Sequence, residues 1–268
     1  MKELRFFYTP EPESLQLPAD EAQHVLRVLR LQMGDELNLA DGRGNFFRAV
    51  ITEAGGHHCR YRILENLPQQ PEWKGTIHLA VAPTKNMDRI EWLAEKATEI
   101  GFDRLSLLDC RFSERRQVKT DRLEKIVIAA MKQSHKAWKP QLDPMIQFRE
   151  FIARPDLPTQ RFIAHCYSMC DVVSGVQTSD TQRSDAVHQG NSPVAANALE
   201  PASKPFLLEV LQPHTPALVL VGPEGDFSIE EVRAAEAAGF RSVSLGTSRL
   251  RTETAALVAV HLMRLANA

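Results

Sequence analysis

Two stretches of this chain carry residue types able to cradle and activate a small ligand. In Leu218-Val219-Leu220-Val221-Gly222-Pro223-Glu224-Gly225-Asp226-Phe227-Ser228, an apolar run ends in a tight turn and a capped helix start follows. In open α/β sheets ligands bind in the crevice at the carboxyl ends of strands, and glycines there let the backbone approach them. Taken alone, a Gly-x-x-Gly turn is more often an ordinary strand-to-helix connection. Here a second such loop follows. Val243-Ser244-Leu245-Gly246 closes another run, and Thr247–Ala255, with Arg249, Arg251 and Glu253, leads into the last helix. A glutamate, arginines and threonines on two glycine-bearing loops point to a site. No Walker A lysine follows either loop and no Gly-x-Gly-x-x-Gly occurs, so neither is a standard nucleotide fingerprint. No Gly-x-Ser-x-Gly elbow or Cys/His signature supports hydrolase chemistry.

The second signal is electrostatic. The 268 residues hold 32 Lys+Arg and 34 Asp+Glu, a formal charge of -2. Evenly spread, that charge would argue against nucleic acid, whose binders leave a basic footprint. It is not evenly spread: residues 111–139 hold nine Lys+Arg and three Asp+Glu, net +6, against -8 elsewhere. Such a segment can attract phosphates, although a lone charge run is more often a solvated helix face. Arg111, Arg115 and Arg116 fall in a loop after a strand, and Trp138 is available to stack on a base. On this reading charge reversals within 111–139 weaken nucleic-acid binding and reversals within 200–240 do not.

Other chemistry is weakly represented. Cys59, Cys110, Cys166 and Cys170 are too few for a disulfide framework and lack zinc spacing, so they read as reduced structural thiols. The histidines show no metal spacing, and the adjacent His57-His58 reads as an exposed turn pair. No apolar run approaches a membrane span, and the first residues lack a signal-peptide pattern, so the expected location is cytoplasmic, with no membrane or metal partner.

The elements that position these loops fall into two groups. Residues 1–70 read as short strands at Leu4–Tyr8, Glu36–Ala40, Phe46–Thr52 and Cys59–Leu64, separated by glycine turns, as in a small barrel. A helix over Asp20–Leu31 interrupts them, with His24, Arg27 and Arg30 on one face at helical spacing. Pro68-Gln69-Gln70-Pro71 reads as a linker. From residue 74 to 268 strands and helices alternate: strands at Ile77–Ala82, Leu105–Leu108, Phe162–His165, Ala217–Val221 and Val243–Leu245, and helices at Asn86–Ile100, from Thr120 as its cap, Ser228–Ala238 and Thr254–Leu265. Alternation of this kind predicts an α/β domain with a mostly parallel sheet. Residues 171–204, rich in Ser, Gln, Asn and Asp, read as an inserted loop.

Gly222-Pro223-Glu224-Gly225-Asp226-Phe227-Ser228 with Glu231, and Leu245-Gly246 with Leu250-Arg251-Thr252-Glu253-Thr254-Ala255, resemble the RsmE-type methyltransferases of the SPOUT superfamily. So do Arg5-Phe6-Phe7, His24–Arg30 with Gly34-Asp35, Lys85 with Asp88-Arg89, Ser113-Glu114-Arg115, and Gln133-Ser134. The resemblance covers nearly the whole chain outside 171–204. It implies an N-terminal PUA-like RNA-binding β-barrel over 1–70 and a trefoil-knotted SPOUT methyltransferase domain over 74–268, acting as a homodimer on 16S ribosomal RNA or the small ribosomal subunit. The implied reaction is transfer of a methyl group from S-adenosylmethionine to N3 of a uridine. The cofactor would be held by the loop after His165, by Val221, Gly222, Pro223, Glu224 and Gly225, and by Leu245, Gly246 and Leu250. Arg251 would act as cation or orienter. Glu253 would act as base or, equally, as an acidic residue complementing the helix N-terminus. Arg5, His24, Arg27, Arg30, Lys85, Arg89, Arg111, Arg115 and Arg116 would contact RNA. Asp226 stands where the family often has a second glycine, and Arg249 where it usually has an aliphatic residue. A ribose 2′-O-methyltransferase and a non-catalytic RNA-binding protein are the competing readings.

Overall fold

The computed structural model describes residues 5–56, 58–168 and 204–268. The expected insertion, except Lys204, lies outside the described residues, as do Leu4, His57 and Cys170.

The N-terminal part is a four-stranded sheet in the order β1-β2-β3-β4, formed by Phe6–Tyr8, Glu36–Ala40, Asn45–Gly55 and His58–Pro68. β1 pairs parallel to β2, while the β2–β3 and β3–β4 pairs are antiparallel. Closure comes from the chain just after β1. Leu17 donates its N–H to Cys59 and Tyr61 donates its own to Leu15, so residues 15–17 lie along the free edge of β4. Phe7, Leu37, Leu39, Ala49, Ile51 and Tyr61 fill the interior at alternating positions, as a half-buried antiparallel sheet requires. The expected helix over Asp20–Leu31 is shorter and irregular. α1 covers Ala19–Gln23, a π-helical turn covers His24–Val28, and Arg30 takes a left-handed φ of 56°. His24, Arg27 and Arg30 are all exposed, but they do not share one regular helix face.

The second part is a six-stranded, all-parallel sheet in the order β10-β8-β9-β5-β6-β7. Its strands are β5 Ile77–Val81, β6 Arg104–Asp109, β7 Gln141–Gln147, β8 Gln160–Ala164, β9 Ala217–Val221 and β10 Arg241–Val243. The central strands β5 and β9 are buried at every position, which explains their unbroken apolar sequences. One face is covered by α2 Met87–Ile100, α3 Thr120–Gln133, α5 Leu207–Val210 and α7 Thr252–Ala266. The other is covered by α4 Phe148–Ile152 and α6 Ile229–Ala237. β7 and α4 were not expected from the sequence. β7 carries Pro144, which a strand tolerates here because β7 is the sheet's edge. Thr120 is the first residue of α3 and does not cap it; Lys119 holds that position without a side-chain bond. From edge strand β10 the chain returns to pack α7 over β5 and β9, with Leu207 and Pro205 hydrogen-bonded beside Ser244. This crossing is what the knotted fold implied by the resemblance demands.

The segment just after the expected linker is pinned. Lys136 Nζ lies 3.0 Å from the Glu72 carboxylate, and the Lys136 and Arg264 cations lie over the Trp73 ring at 5.8 and 5.0 Å. Trp73 Nε1 donates to Asp103 at 3.0 Å. Trp138 is half-buried. It packs on the β2–β3 turn, where a Cβ on Gly44 would come within 2.6 Å of its ring. Gly44 also has φ +101° and donates its N–H to Ala137, while Lys139 donates to Gly42. Gly44→Ala therefore meets both steric crowding and backbone strain, and it should destabilise the protein by about 2 kcal/mol, lowering Tm by about 5 °C in a thermal melt. An unchanged melt would show that this contact does not hold the barrel.

Candidate functional site

The order β10-β8-β9 brings three carboxyl ends side by side although their loops are far apart in sequence. His165 and Cys166 follow β8, Gly222–Gly225 follow β9, and Leu245–Leu250 follow β10. Every residue expected to hold a cofactor thus lies at one edge of one sheet, where parallel α/β folds bind ligands.

Polar contacts clasp these loops together. Asp226 adopts a left-handed φ of 65°, the conformation a glycine would supply, and uses its carboxylate as a bridge. Oδ2 accepts the Cys166 N–H at 2.7 Å and Oδ1 accepts the Phe227 N–H at 2.8 Å. Tyr167 donates its hydroxyl to the Phe227 carbonyl at 2.8 Å. The β9 turn itself is tight: a Cβ on Gly222 would press to 3.0 Å from the Phe227 nitrogen. α6 begins with the expected capping box of Ser228 and Glu231. The other oxygen of Glu231 accepts the Arg111 N–H at 2.8 Å, tying the β6 loop to the β9 loop.

His165 is buried and central to a polar chain. Lys204 donates to the His165 carbonyl and approaches Nδ1 at 3.3 Å. An ammonium only donates, so Nδ1 accepts and the Nε2–H faces Ser242 Oγ at 2.9 Å; Ser242 in turn donates to Glu236 at 2.7 Å. Burial, reinforced by the Lys204 charge, pushes the His165 pKa down to about 3, so it is neutral in physiological conditions. Burial also lowers the Lys204 pKa and raises that of the Cys166 thiol, where the charge of Asp226 adds to the effect. Lys204 was hidden from sequence reading because it ends a polar segment with no pattern of its own.

The remaining expected residues divide into two sets. Lys85, Arg89, Arg111, Arg115 and Arg116 follow β5 and β6 and so stand at the same edge of the sheet as the three loops. Arg5, His24, Arg27 and Arg30 are exposed on the barrel. Arg251 is exposed at the N-cap of α7, and Glu253, 8% exposed, sits in its first turn. Arg89 Nε lies 3.8 Å from Glu253 Oε1, while the buried Oε2 has no hydrogen-bond partner among the described residues.

The basic segment is more neutralised than its sequence suggests. Arg111 pairs with Glu230, Arg116 with Asp109, Arg122 with Glu91, Lys132 with Glu21, Lys136 with Glu72 and Lys139 with Glu124. Arg115 holds the Lys85 carbonyl through Nε and Nη2. Lys119 and Lys125 make no ion pair among the described residues. No group of three or more His, Cys, Asp or Glu among the described residues is arranged to hold a metal ion, and no described helix is long and apolar enough to cross a membrane.

Comparison with known proteins adds to this geometry. A family model described as an RNA methyltransferase domain matches residues 71–184 and 172–264, and one described as an RNA methyltransferase PUA domain matches 17–64. A probable rRNA methyltransferase of Porphyromonas gingivalis is 40% identical, with a TM-score of 0.81 and 98% of each chain covered. The ribosomal RNA small subunit methyltransferase E of Neisseria gonorrhoeae, solved bound to S-adenosylmethionine, is 26% identical with a TM-score of 0.74, again over 98% of both chains. The protein of the same name from Rickettsia conorii is 28% identical over 95% of this chain and 91% of its own.

The polar chain through His165 has a pH signature. Its depressed pKa means that the unfolded chain binds the proton more readily, so its contribution is complete above about pH 6.5 and is lost as pH falls toward 3. Below pH 6 the unfolding free energy measured in urea should fall by about 1.4 kcal/mol per pH unit from this group. His165→Asn should make the acid slope shallower by that amount, and an unaltered slope would contradict the buried neutral imidazole.

Proposed function

The chain belongs to the RNA methyltransferase family, and from that premise we propose that it transfers the methyl group of S-adenosylmethionine to N3 of a uridine in 16S ribosomal RNA. The observation that carries this reading is the convergence of three loops at the carboxyl ends of β10, β8 and β9, with those after β8 and β9 clasped together by Asp226. Their residues fit an adenosyl cofactor. Leu245 and Leu250 are only half-buried, offering apolar contact, and a Cβ on Gly246 would meet nothing within 4 Å, so backbone and open space are both available there. Val221 and the Gly222–Gly225 turn form the adjoining wall, with His165 behind it as a neutral, fixed group. When bound, the cofactor supplies an activated methyl group on a sulfonium.

The protein's share of the chemistry is orientation and removal of the uridine N3 proton. In this reading the Glu253 carboxylate accepts that proton, and the Arg89 guanidinium, 3.8 Å from Oε1, favours its ionised form. Arg251, two residues earlier and exposed, orients the base and steadies the negative charge that develops on it as the proton leaves. Arg5, His24, Arg27 and Arg30 on the barrel grip flanking RNA, with Lys85, Arg111, Arg115 and Arg116 nearer the cofactor loops. α2 and α7, packed together, leave Trp92 and Leu265 exposed and Leu257 and Val258 half-buried, a surface suited to pairing two copies.

The decisive measurement is mass spectrometry of 16S RNA from a strain lacking the gene, with and without complementation. One uridine methyl should disappear and return; an unchanged modification profile would refute the reading. In purified protein, Glu253→Gln and Arg251→Ala should each lower single-turnover methyl transfer by about 10²-fold or more while cofactor affinity stays near wild type. Full transfer activity in Glu253→Gln would remove it as the base.

A further inference from the structure

We propose that Phe112 is a stacking platform for an unpaired base of the RNA substrate, a role that rests on the methyltransferase reading and adds a recognition element to it. Phe112 follows β6 and is 38% exposed. Its inner side abuts the cofactor-side turn: a Cβ on Gly225 would come within 3.1 Å of Phe112 Cβ. The Arg111 guanidinium lies over one face of the ring at 5.8 Å. An exposed aromatic beside a cation and next to a ligand-binding loop is the arrangement on which a nucleobase stacks.

The loop that carries Phe112 is braced from below. Ser113 Oγ accepts the Cys110 N–H at 3.0 Å, and Ser113 returns its own N–H to the Cys110 carbonyl at 3.1 Å. Glu231 holds the Arg111 N–H. Arg116 donates to the Arg111 carbonyl at 3.2 Å and to Asp109 at 2.7 Å, and the buried Asp109 is fixed again by Gln147 at 2.5 Å. The ring is therefore presented on a rigid base, which reduces the ordering entropy a partner would otherwise cost.

The surrounding charge selects a base over a phosphate. Lys85 pairs with Glu114 at 2.8 Å, Arg111 with Glu230 at 3.4 Å, and Glu224 accepts the Lys85 N–H at 2.9 Å. Each cation beside the ring already has a carboxylate or carbonyl partner, which reduces its pull on phosphate and leaves the ring to contribute the contact with a base. Phe112 keeps 38% of its surface exposed, and Glu114 to Gln117, which follow it in the same loop, line an open cleft of about 350 Å³ with Lys85. That volume lies within the range of small-ligand sites. Polar groups of both signs suit the mixed donor and acceptor edge of a base. Their charge does not suit an apolar protein surface.

The test uses Phe112→Ala and Phe112→Trp in the full chain, with wild-type methylation of 16S RNA established in the same preparation. For Phe112→Ala, affinity for single-stranded oligouridine should fall about tenfold. Cofactor affinity should hold, and the slope of log Kd against log salt should be unchanged, because no phosphate contact is lost. Phe112→Trp should restore binding, and its fluorescence above the wild-type background should be quenched by oligouridine. Wild-type RNA affinity in Phe112→Ala, an unquenched Phe112→Trp, or loss of cofactor and RNA binding together would each overturn the proposal, the last by showing that the ring only supports Gly225. Absence of methylation by the wild-type protein would instead overturn the methyltransferase reading itself.

Discussion

The site depends on one pairing pattern: β8 lies between β9 and β10, parallel to both. Parallel strands cannot be joined by tight turns, so each loop must leave the sheet at the same edge and the chain must return by a crossover. Three connections widely separated in sequence thereby become neighbours. Removing β10 from the edge would leave the glycine turn after β9 intact but without the residues that face it. The side-chain clasps made by Asp226, Tyr167 and Lys204 then fix the separation of the loops to within hydrogen-bonding tolerance. Strand order brings the loops together, and local polar contacts set their shape.

The cations of 111–139 illustrate how charge serves the fold. Lys132 reaches Glu21 of the barrel at 2.5 Å, and Lys136 reaches Glu72 of the connecting segment at 3.0 Å. The Lys132–Glu21 pair is shielded from solvent on both sides, so its loss would leave a half-buried charge without a partner. Such pairs link the two sheets and face the other body, where they cannot also grip RNA. A positive count along the sequence overstates the attraction available to a polyanion when much of it has already been met by the protein's own carboxylates.

Much of this arrangement was legible in the sequence. The uninterrupted apolar runs at Ile77–Val81 and Ala217–Val221 announced buried parallel strands, and Ser228 with Glu231 announced the start of α6. The glycine turn after β9 and the Leu245–Leu250 loop were found because their residue types are unusual at strand ends. β7 was missed because Pro144 contradicts a central strand, and only its edge position, a property of the whole sheet, permits it. Trp138 reads from the sequence as an available stacking surface. Its packing against Gly44, half-burying the ring, depends on a contact between two parts of the chain nearly a hundred residues apart, which no local pattern encodes. Asp226 departs from the glycine that the family resemblance implies, but its bridging of Cys166 and Phe227 joins two loops that only the fold brings together. Phe112 carries no signal in the sequence, since a single aromatic among arginines has no periodicity to betray its exposure.

The joint between barrel and knot-forming domain has a thermodynamic meaning of its own. The Trp138–Gly44 contact, the Lys139–Gly42 hydrogen bond and the Lys132–Glu21 pair hold the two bodies in one orientation before any ligand arrives. A ligand that touches both bodies does not have to bring them into alignment, so the second contact forms at a high effective concentration set by fixed geometry. The same rigidity works as a gauge. Only a partner whose two contact points are separated by the built-in distance gains from both, and a partner of any other length is held by one alone.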